Sequence, residues 1–175
     1  HAGTQVMVQL MSSDEEVLPD SLVGLAASAC IAVSDVPFNG PISEVRVARV
    51  NGEFIINPYR SELELADIDL MVAGTLDSIV MVEGEMSEVS ESEMVDAIEA
   101  ASKAITTQCE AQIELAKAVG KYGVSREYSH EDHDDVLKAK VFDTLFPKMY
   151  EAAQKGKSKV ERKASFKAIT AEFVA

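Results

Sequence analysis

The chain has 175 residues, enough for one ordinary domain or for one domain with a small companion. Hydrophobic residues make up 47% and charged residues 26%, which excludes wholesale disorder, and no stretch approaches the ~20 uninterrupted apolar residues that a membrane-spanning helix needs. The net charge of -14 is unevenly spread: residues 1–120 carry 21 acidic and 5 basic side chains, whereas residues 121–175 carry 9 and 11, so the first part is unsuited to gripping a phosphate backbone by itself.

His1 to Thr4 have neither the basic nor the apolar region of a signal peptide. Thr4 to Leu10 reads as a strand, with Val6, Val8 and Leu10 alternating. Asp14-Glu15-Glu16 is a polar turn, and Pro19 and Asp20 open a helix over Ser21 to Val33. That helix is apolar nearly all round and is expected to be buried on most sides, with Gly24, Ala and Ser allowing close approach. Pro37, Asn39-Gly40 and Pro41 then break the chain. Glu44 to Val50 and Glu53 to Ile56 are β-rich runs joined by Asn51-Gly52, a strong hairpin signal because both central residues of a type I′ turn need positive φ. Arg60 to Ala66 is expected as a short helix. Asp69 to Thr75 and Ile79 to Glu83 are two further strands joined by Leu76-Asp77-Ser78. The first half is thus a mainly antiparallel sheet with packed helices, the α+β class.

Glu91 to about Val119 reads as one long helix, with Met94, Ile98, Ala101, Ile105, Cys109, Gln112, Ile113 and Ala116 on one face and Gly120 as its stop. Cys30 and Cys109, the two cysteines, read as buried free thiols in a reducing compartment. Gly120, where the composition changes, is the best domain boundary, and Gly123 to Ser129 reads as a linker. An all-helical part follows. Ser129 is the expected N-cap of a helix running to about Gln154, with Leu137, Val141, Leu145 and Met149 on one face and Pro147 expected to kink or split it. Lys155-Gly156-Lys157 is a break, and Ser158 opens the last helix. The chain lacks an initiator Met and its last residues still read as helix, so it is expected to be a piece of a longer polypeptide.

No Gly-rich phosphate loop, CxxC, GxSxG or HExxH occurs in the sequence. His130-Glu131-Asp132-His133-Asp134-Asp135 has metal-ligand residue types, but the same residues suit the positive end of a helix macrodipole, and that reading is favoured. Glu83 with Glu85, and Asp67 with Asp69, are paired carboxylates at strand ends, where solvation is favoured over acid–base work. Lys155, Lys157, Lys159, Arg162, Lys163 and Lys167 form the one candidate RNA-facing patch. With only Phe166 nearby and no stacking platform, a solvated helix face is favoured. No catalytic, cofactor-binding or metal-binding residue is assigned.

Two stretches go beyond pattern: VPFNGPISEVRVARVNGEFIINP over Val36 to Pro58, and LMVAGTLDSIVMVEGE over Leu70 to Glu85. With the small-residue helix GLAASACIA before them, they resemble the bacterial polynucleotide phosphorylase (polyribonucleotide nucleotidyltransferase) family. The resemblance implies that residues 1–120 are the C-terminal half of the first RNase PH-like domain and that 121–175 begin an all-helical linker domain. It further implies a cytoplasmic parent enzyme, a homotrimeric ring, that degrades RNA from the 3′ end with inorganic phosphate and Mg²⁺, releases nucleoside diphosphates, and can run in reverse. In that family the catalytic serines, aspartates and lysine lie in the second core, which would be the packing partner of this chain. The RNA-gripping loop lies in the first half of the first core. Nothing catalytic carries over, and the expected role is scaffold, inactive alone and binding no cofactor. The competing readings are a non-enzymatic interaction domain, or a subunit of RNase PH or exosome type, which would lack the helical residues 125–175.

Overall fold

The structure, a computed structural model, describes residues 3–128 and 133–174. They fall into two units, one within residues 3–128 and the other within 133–174. The first unit holds α1 (Val23–Ala32), β1 (Ser43–Val50), β2 (Glu53–Ile56), α2 (Arg60–Leu63), β3 (Ile68–Gly74), β4 (Ile79–Met86) and α3 (Glu91–Ala118). The strands form one antiparallel sheet in the order β2-β1-β3-β4. Asn51 and Gly52 both have positive φ, 52° and 85°, as the expected hairpin turn requires.

The pairing Val45↔Val72 and Val47↔Leu70 puts the apolar residues of β1 and β3 on one face of the sheet. That face meets Ala97, Ala101, Ile105 and Cys109, spaced four apart along α3, and all of these side chains are buried. Small alanines on the helix let it lie close to the strands. Ser90 caps α3: its hydroxyl accepts from Glu93 N, while the Glu93 carboxylate accepts from Ser90 N at 2.8 Å. At the other end Lys121 N donates to Ala116 O at 2.8 Å, which closes the helix beyond Gly120.

The other side of β1 is covered by the stretch Asp20 to Ser28, which includes the first part of α1. Three rungs join them: the Asp20 carboxylate to Arg46, Glu44 Oε1 to Gly24 N (2.8 Å), and Ser28 Oγ to Ile42 N (3.0 Å). Here the sequence expectation needs correction. Only Ser28 of α1 is buried, whereas Leu22, Val23, Ala26 and Cys30 are exposed. The helix lies against β1 and also touches α3, and among the described residues its other sides stay half-buried or exposed. Cys30 is therefore an exposed thiol, and Cys109 alone is buried.

Thr4 to Leu10 is not a strand: residues 3–14 form neither helix nor strand and every one is exposed. A strand exists only against a neighbouring edge, and no described residue provides one. β4 runs on to Met86, so Glu83 and Glu85 lie within a strand, not after one, and that strand is the exposed edge of the sheet. Residues 121–126 belong to the first unit, tied to the segment after α1 by Arg126 N to Asp35 O (2.8 Å) and by an Arg126–Asp35 ion pair.

The second unit contains α4 (Asp135–Gln154) and α5 (Lys159–Val174) joined by a four-residue turn. α4 starts later than expected. Its cap is Asp134, whose carboxylate accepts from Leu137 N at 2.9 Å, and the expected cap Ser129 lies outside the described residues. The helix continues through Pro147 without a break in its span. Ser158 opens α5 as expected, with Glu161 accepting from Ser158 N.

Candidate functional site

The first candidates are the carboxylates, and two arginines of β1 decide their fate. Arg49 holds Asp67 with two parallel bonds, Nε to Oδ1 at 2.8 Å and Nη2 to Oδ2 at 2.7 Å, and reaches Glu93 with Nη1 at 2.6 Å. Arg46 donates Nη1 to both oxygens of Asp69 at 2.8 Å and Nη2 to Asp20. Two of the four carboxylates expected to be solvated at strand ends, Asp67 and Asp69, thus have both oxygens bonded to a guanidinium group. Hydrogen bonds from Arg49 hold Asp67 below the usual carboxylate range. Glu93 is brought down to about 2, first by the Ser90 backbone amide, next by the Ser90 hydroxyl and then by Arg49. Groups fixed in the charged form near neutral pH cannot exchange protons with a substrate there. Glu85 faces Asp69 across the β3–β4 ladder and Glu83 faces Met71, both exposed on the edge strand.

The second candidate is the run from His130 to Asp135. His130, Glu131 and Asp132 lie outside the described residues. Asp134 is the helix cap, and Asp135 is the first residue of α4. Among the described residues no group of three or more His, Cys, Asp or Glu side chains is placed to hold a metal ion.

The third is the basic segment. Lys155 pairs with Glu151 at 2.8 Å. Lys159, Lys163 and Lys167 follow at four-residue spacing along α5 and share one ridge, with Arg162 beside it. The expectation of no aromatic ladder needs correction. On α4, Phe142 stacks on Phe146 (centroids 4.9 Å apart) and Phe146 on Tyr150 (5.7 Å), and all three are exposed. The ladder was legible as aromatic residues four apart on one helix.

The sequence reading missed a cleft of about 540 Å³ in the first unit. One wall is the loop Val36 to Pro41, and the others are the end of α3 and residues 121–128, including Tyr122 and Tyr128. The loop is clamped from behind, with Gln112 Nε2 donating to Ile42 O at 3.0 Å and Cys109 Sγ to Pro41 O at 3.6 Å. Gln112 Oε1 is buried without a partner among the described residues, and solvent does not reach it, so it offers nothing to a molecule in the cleft. Among the described residues no carboxylate, imidazole or thiol lines the cleft, and Lys121 is the one cation among them. The lining can bind but has no pair of groups for acid–base or nucleophilic chemistry. Loops brought together from residues 36–41 and 121–128 leave no local signal in the sequence.

Residues 40–104 match the family model described as 3′ exoribonuclease family, domain 2. Along the whole chain the sequence is 57% identical to the polyribonucleotide nucleotidyltransferase of Parabacteroides distasonis over 175 residues, covering 100% of this chain and 23% of that protein. The enzyme of the same name from Bacteroides fragilis is 53% identical over 176 residues, with 100% of this chain and 25% of that protein covered. The one from Cytophaga hutchinsonii is 50% identical over 175 residues, with 99% and 24% covered. The chain therefore spans about a quarter of the length of the curated relatives it matches.

Proposed function

We propose, from the premise that this chain belongs to the polyribonucleotide nucleotidyltransferase family, that it is a structural part of an enzyme that shortens RNA from the 3′ end. The observation that carries this reading is the similarity along all 175 residues at 57% identity. In such an enzyme an oxygen of inorganic phosphate attacks the terminal phosphodiester, the 3′ oxygen of the penultimate nucleotide leaves, and a nucleoside diphosphate is released. Run in reverse, the same exchange extends RNA.

In this reading residues 1–120 are the C-terminal half of a first RNase PH-like domain and 121–175 open a helical linker domain. The chain packs against a second RNase PH-like core, three copies of the whole polypeptide close a ring, and the enzyme works in the cytoplasm. Mg²⁺ and phosphate bind elsewhere in the polypeptide. The donors here do not fit a metal, because Asp67 and Asp69 already face guanidinium groups. The residues of this chain hold surfaces in place: Arg49 ties β1 and the approach to β3 to the start of α3, and Arg46 ties the stretch before α1 to the sheet.

The test is direct. The chain is incubated with labelled poly(A), phosphate and Mg²⁺ beside the whole-length Parabacteroides distasonis relative. The relative is expected to release ADP only when phosphate is present, and the chain alone to release none. Phosphate-dependent ADP release by the chain alone, surviving removal of host enzymes, would overturn the structural role. No release by the relative would overturn the assigned reaction.

A further inference from the structure

Residues 1–120 carry 21 acidic and 5 basic side chains, yet among the described residues no carboxylate lines the cleft between the loop Val36 to Pro41 and the segment 121–128. Part of its lining is apolar, including Ile113 and Ala116 of α3. Three aromatic rings also line it, in a chain only 6% aromatic: Phe38, Tyr122 and Tyr128 are 38, 60 and 53% exposed. Ring faces left in water are surfaces that a flat apolar partner would cover favourably. Lys121 makes no ion pair among the described residues, and Asp35, which is close enough to sense its charge, is already held by Arg126. Lys117 adds positive charge beside the cleft, its Nζ 5.1 Å from the centroid of the Tyr122 ring. Exposed carboxylates elsewhere on the unit are screened beyond about 8 Å at physiological ionic strength, so the lysines set the sign of the charge here.

We infer that this cleft is a binding site for a small ring-bearing anion, its flat ring against Phe38, Tyr122 and Tyr128 and its acidic group on Lys121. The volume, about 540 Å³, falls within the ~300–1,000 Å³ of small-molecule sites. The mixture is also theirs: apolar and aromatic walls with few polar groups, here the Lys121 ammonium and the neutral side chains of Asn39 and Ser125. A peptide is a poorer fit. No strand lines the cleft among the described residues, so an extended chain finds no sheet edge there to pair with. The inference rests on the cleft alone, not on what the family does to RNA.

The test titrates the 175-residue chain with 2-naphthoate as the ring-bearing anion, 2-naphthamide as its neutral isostere and acetate as an anion without a ring. The chain has four tyrosines and no tryptophan, so selective isotope labelling of tyrosine gives two ring reporters in the cleft, Tyr122 and Tyr128, and two remote from it, Tyr59 and Tyr150. The naphthoate is expected to shift Tyr122 and Tyr128 saturably, with a Kd of about 1 mM or tighter for a molecule of that size, and to leave Tyr59 and Tyr150 in place. The amide should bind about fivefold more weakly, the worth of one partly exposed charge pair, and acetate should give no saturable shift. Lys121 is exposed, so its side chain can be changed without disturbing the fold. Lys121→Gln should reduce naphthoate binding to the level of the amide, and Lys121→Arg should retain it. No saturation by about 10 mM, a Kd too weak for a built site, would overturn the inference. So would equal shifts at all four tyrosines, equal affinity for acid and amide, or a Lys121→Gln variant that binds naphthoate as the parent does. Activity on RNA is not read, so failure of the functional reading and failure of this inference are separable.

Discussion

Replacing Gly84 by alanine should damage this protein far more than the same change at Gly52. Gly84 lies in β4 opposite Leu70, at φ 152°. A Cβ there would stand 2.1 Å from Asp69 O, 2.8 Å from Leu70 Cα and 3.0 Å from Asp69 C, all backbone atoms of a central strand. No rotamer change relieves such a clash, so β3 and β4 must separate by more than an ångström. The backbone conformation costs an alanine about 1–3 kcal/mol. The overpacking adds about 1–3 kcal/mol, and one or two weakened ladder hydrogen bonds add about 1 kcal/mol each. The total is about 3–8 kcal/mol, a large part of the ~5–15 kcal/mol that holds a domain together. At roughly 3–6 °C per kcal/mol for a unit of this size, the melting temperature should fall by about 10–20 °C or more. Gly52 has φ 85° but no atom within 4 Å of its would-be Cβ, so Gly52→Ala should cost only about 1 kcal/mol of conformational preference. Thermal unfolding followed by circular dichroism compares the two variants with the parent. A Gly84→Ala fall of less than about 5 °C, or no larger than that of Gly52→Ala, would refute the reasoning.

Acid should loosen the first unit over a defined range. Glu93, held at about 2, has a folded-state value below its unfolded one, so its contribution is present above pH ~4.5 and is lost as the pH falls from there towards 2. The urea midpoint should decline over that window and decline less in Glu93→Gln, and an equally steep decline in the variant would count against the assignment. One thiol, Cys30, should react promptly with a disulfide reagent under native conditions, and Cys109 only once denaturant is added, since burial also pushes its thiol pKa up. Two prompt equivalents would contradict the packing of α3 on the sheet. The isolated chain should bind a labelled RNA oligomer no tighter than about 10⁻⁴ M at near-physiological salt, the level of non-specific contact. Micromolar binding in an anisotropy titration, lost when Lys157, Lys159, Arg162 and Lys163 become Glu, would make the α5 ridge a genuine RNA site.

Features set by near neighbours in the sequence were legible in advance. Asn51-Gly52 announced the hairpin, and the four-residue spacing along α3 announced its buried face. Features that depend on what lies opposite were not. Asp67 and Asp69 look like free carboxylates until Arg49 and Arg46 are placed beside them, 18 and 23 residues away. The composition of α1 announces burial, but composition does not say whether enough polypeptide is present to cover every side. Thr4 to Leu10 failed as a strand for the same reason. The cleft behind Val36 to Pro41 needs residues more than 80 positions apart, and no local pattern encodes such a meeting.

The three rungs between Asp20–Ser28 and β1 work as a vernier. Donors and acceptors sit four apart on one scale (Asp20, Gly24, Ser28) and two apart on the other (Arg46, Glu44, Ile42). Eight helical residues rise about 12 Å, and four strand residues run about 13 Å in the opposite sense, so both scales coincide at every mark. Inserting or deleting one residue between Gly24 and Ser28 would turn one end of the helix by about 100° relative to the other. No choice of side chain could then restore every mark. The count of residues between these marks is therefore constrained more tightly than their identities. Length changes in descendants of this sequence should fall outside 20–28 and 42–46, even where the residues within those spans have been exchanged.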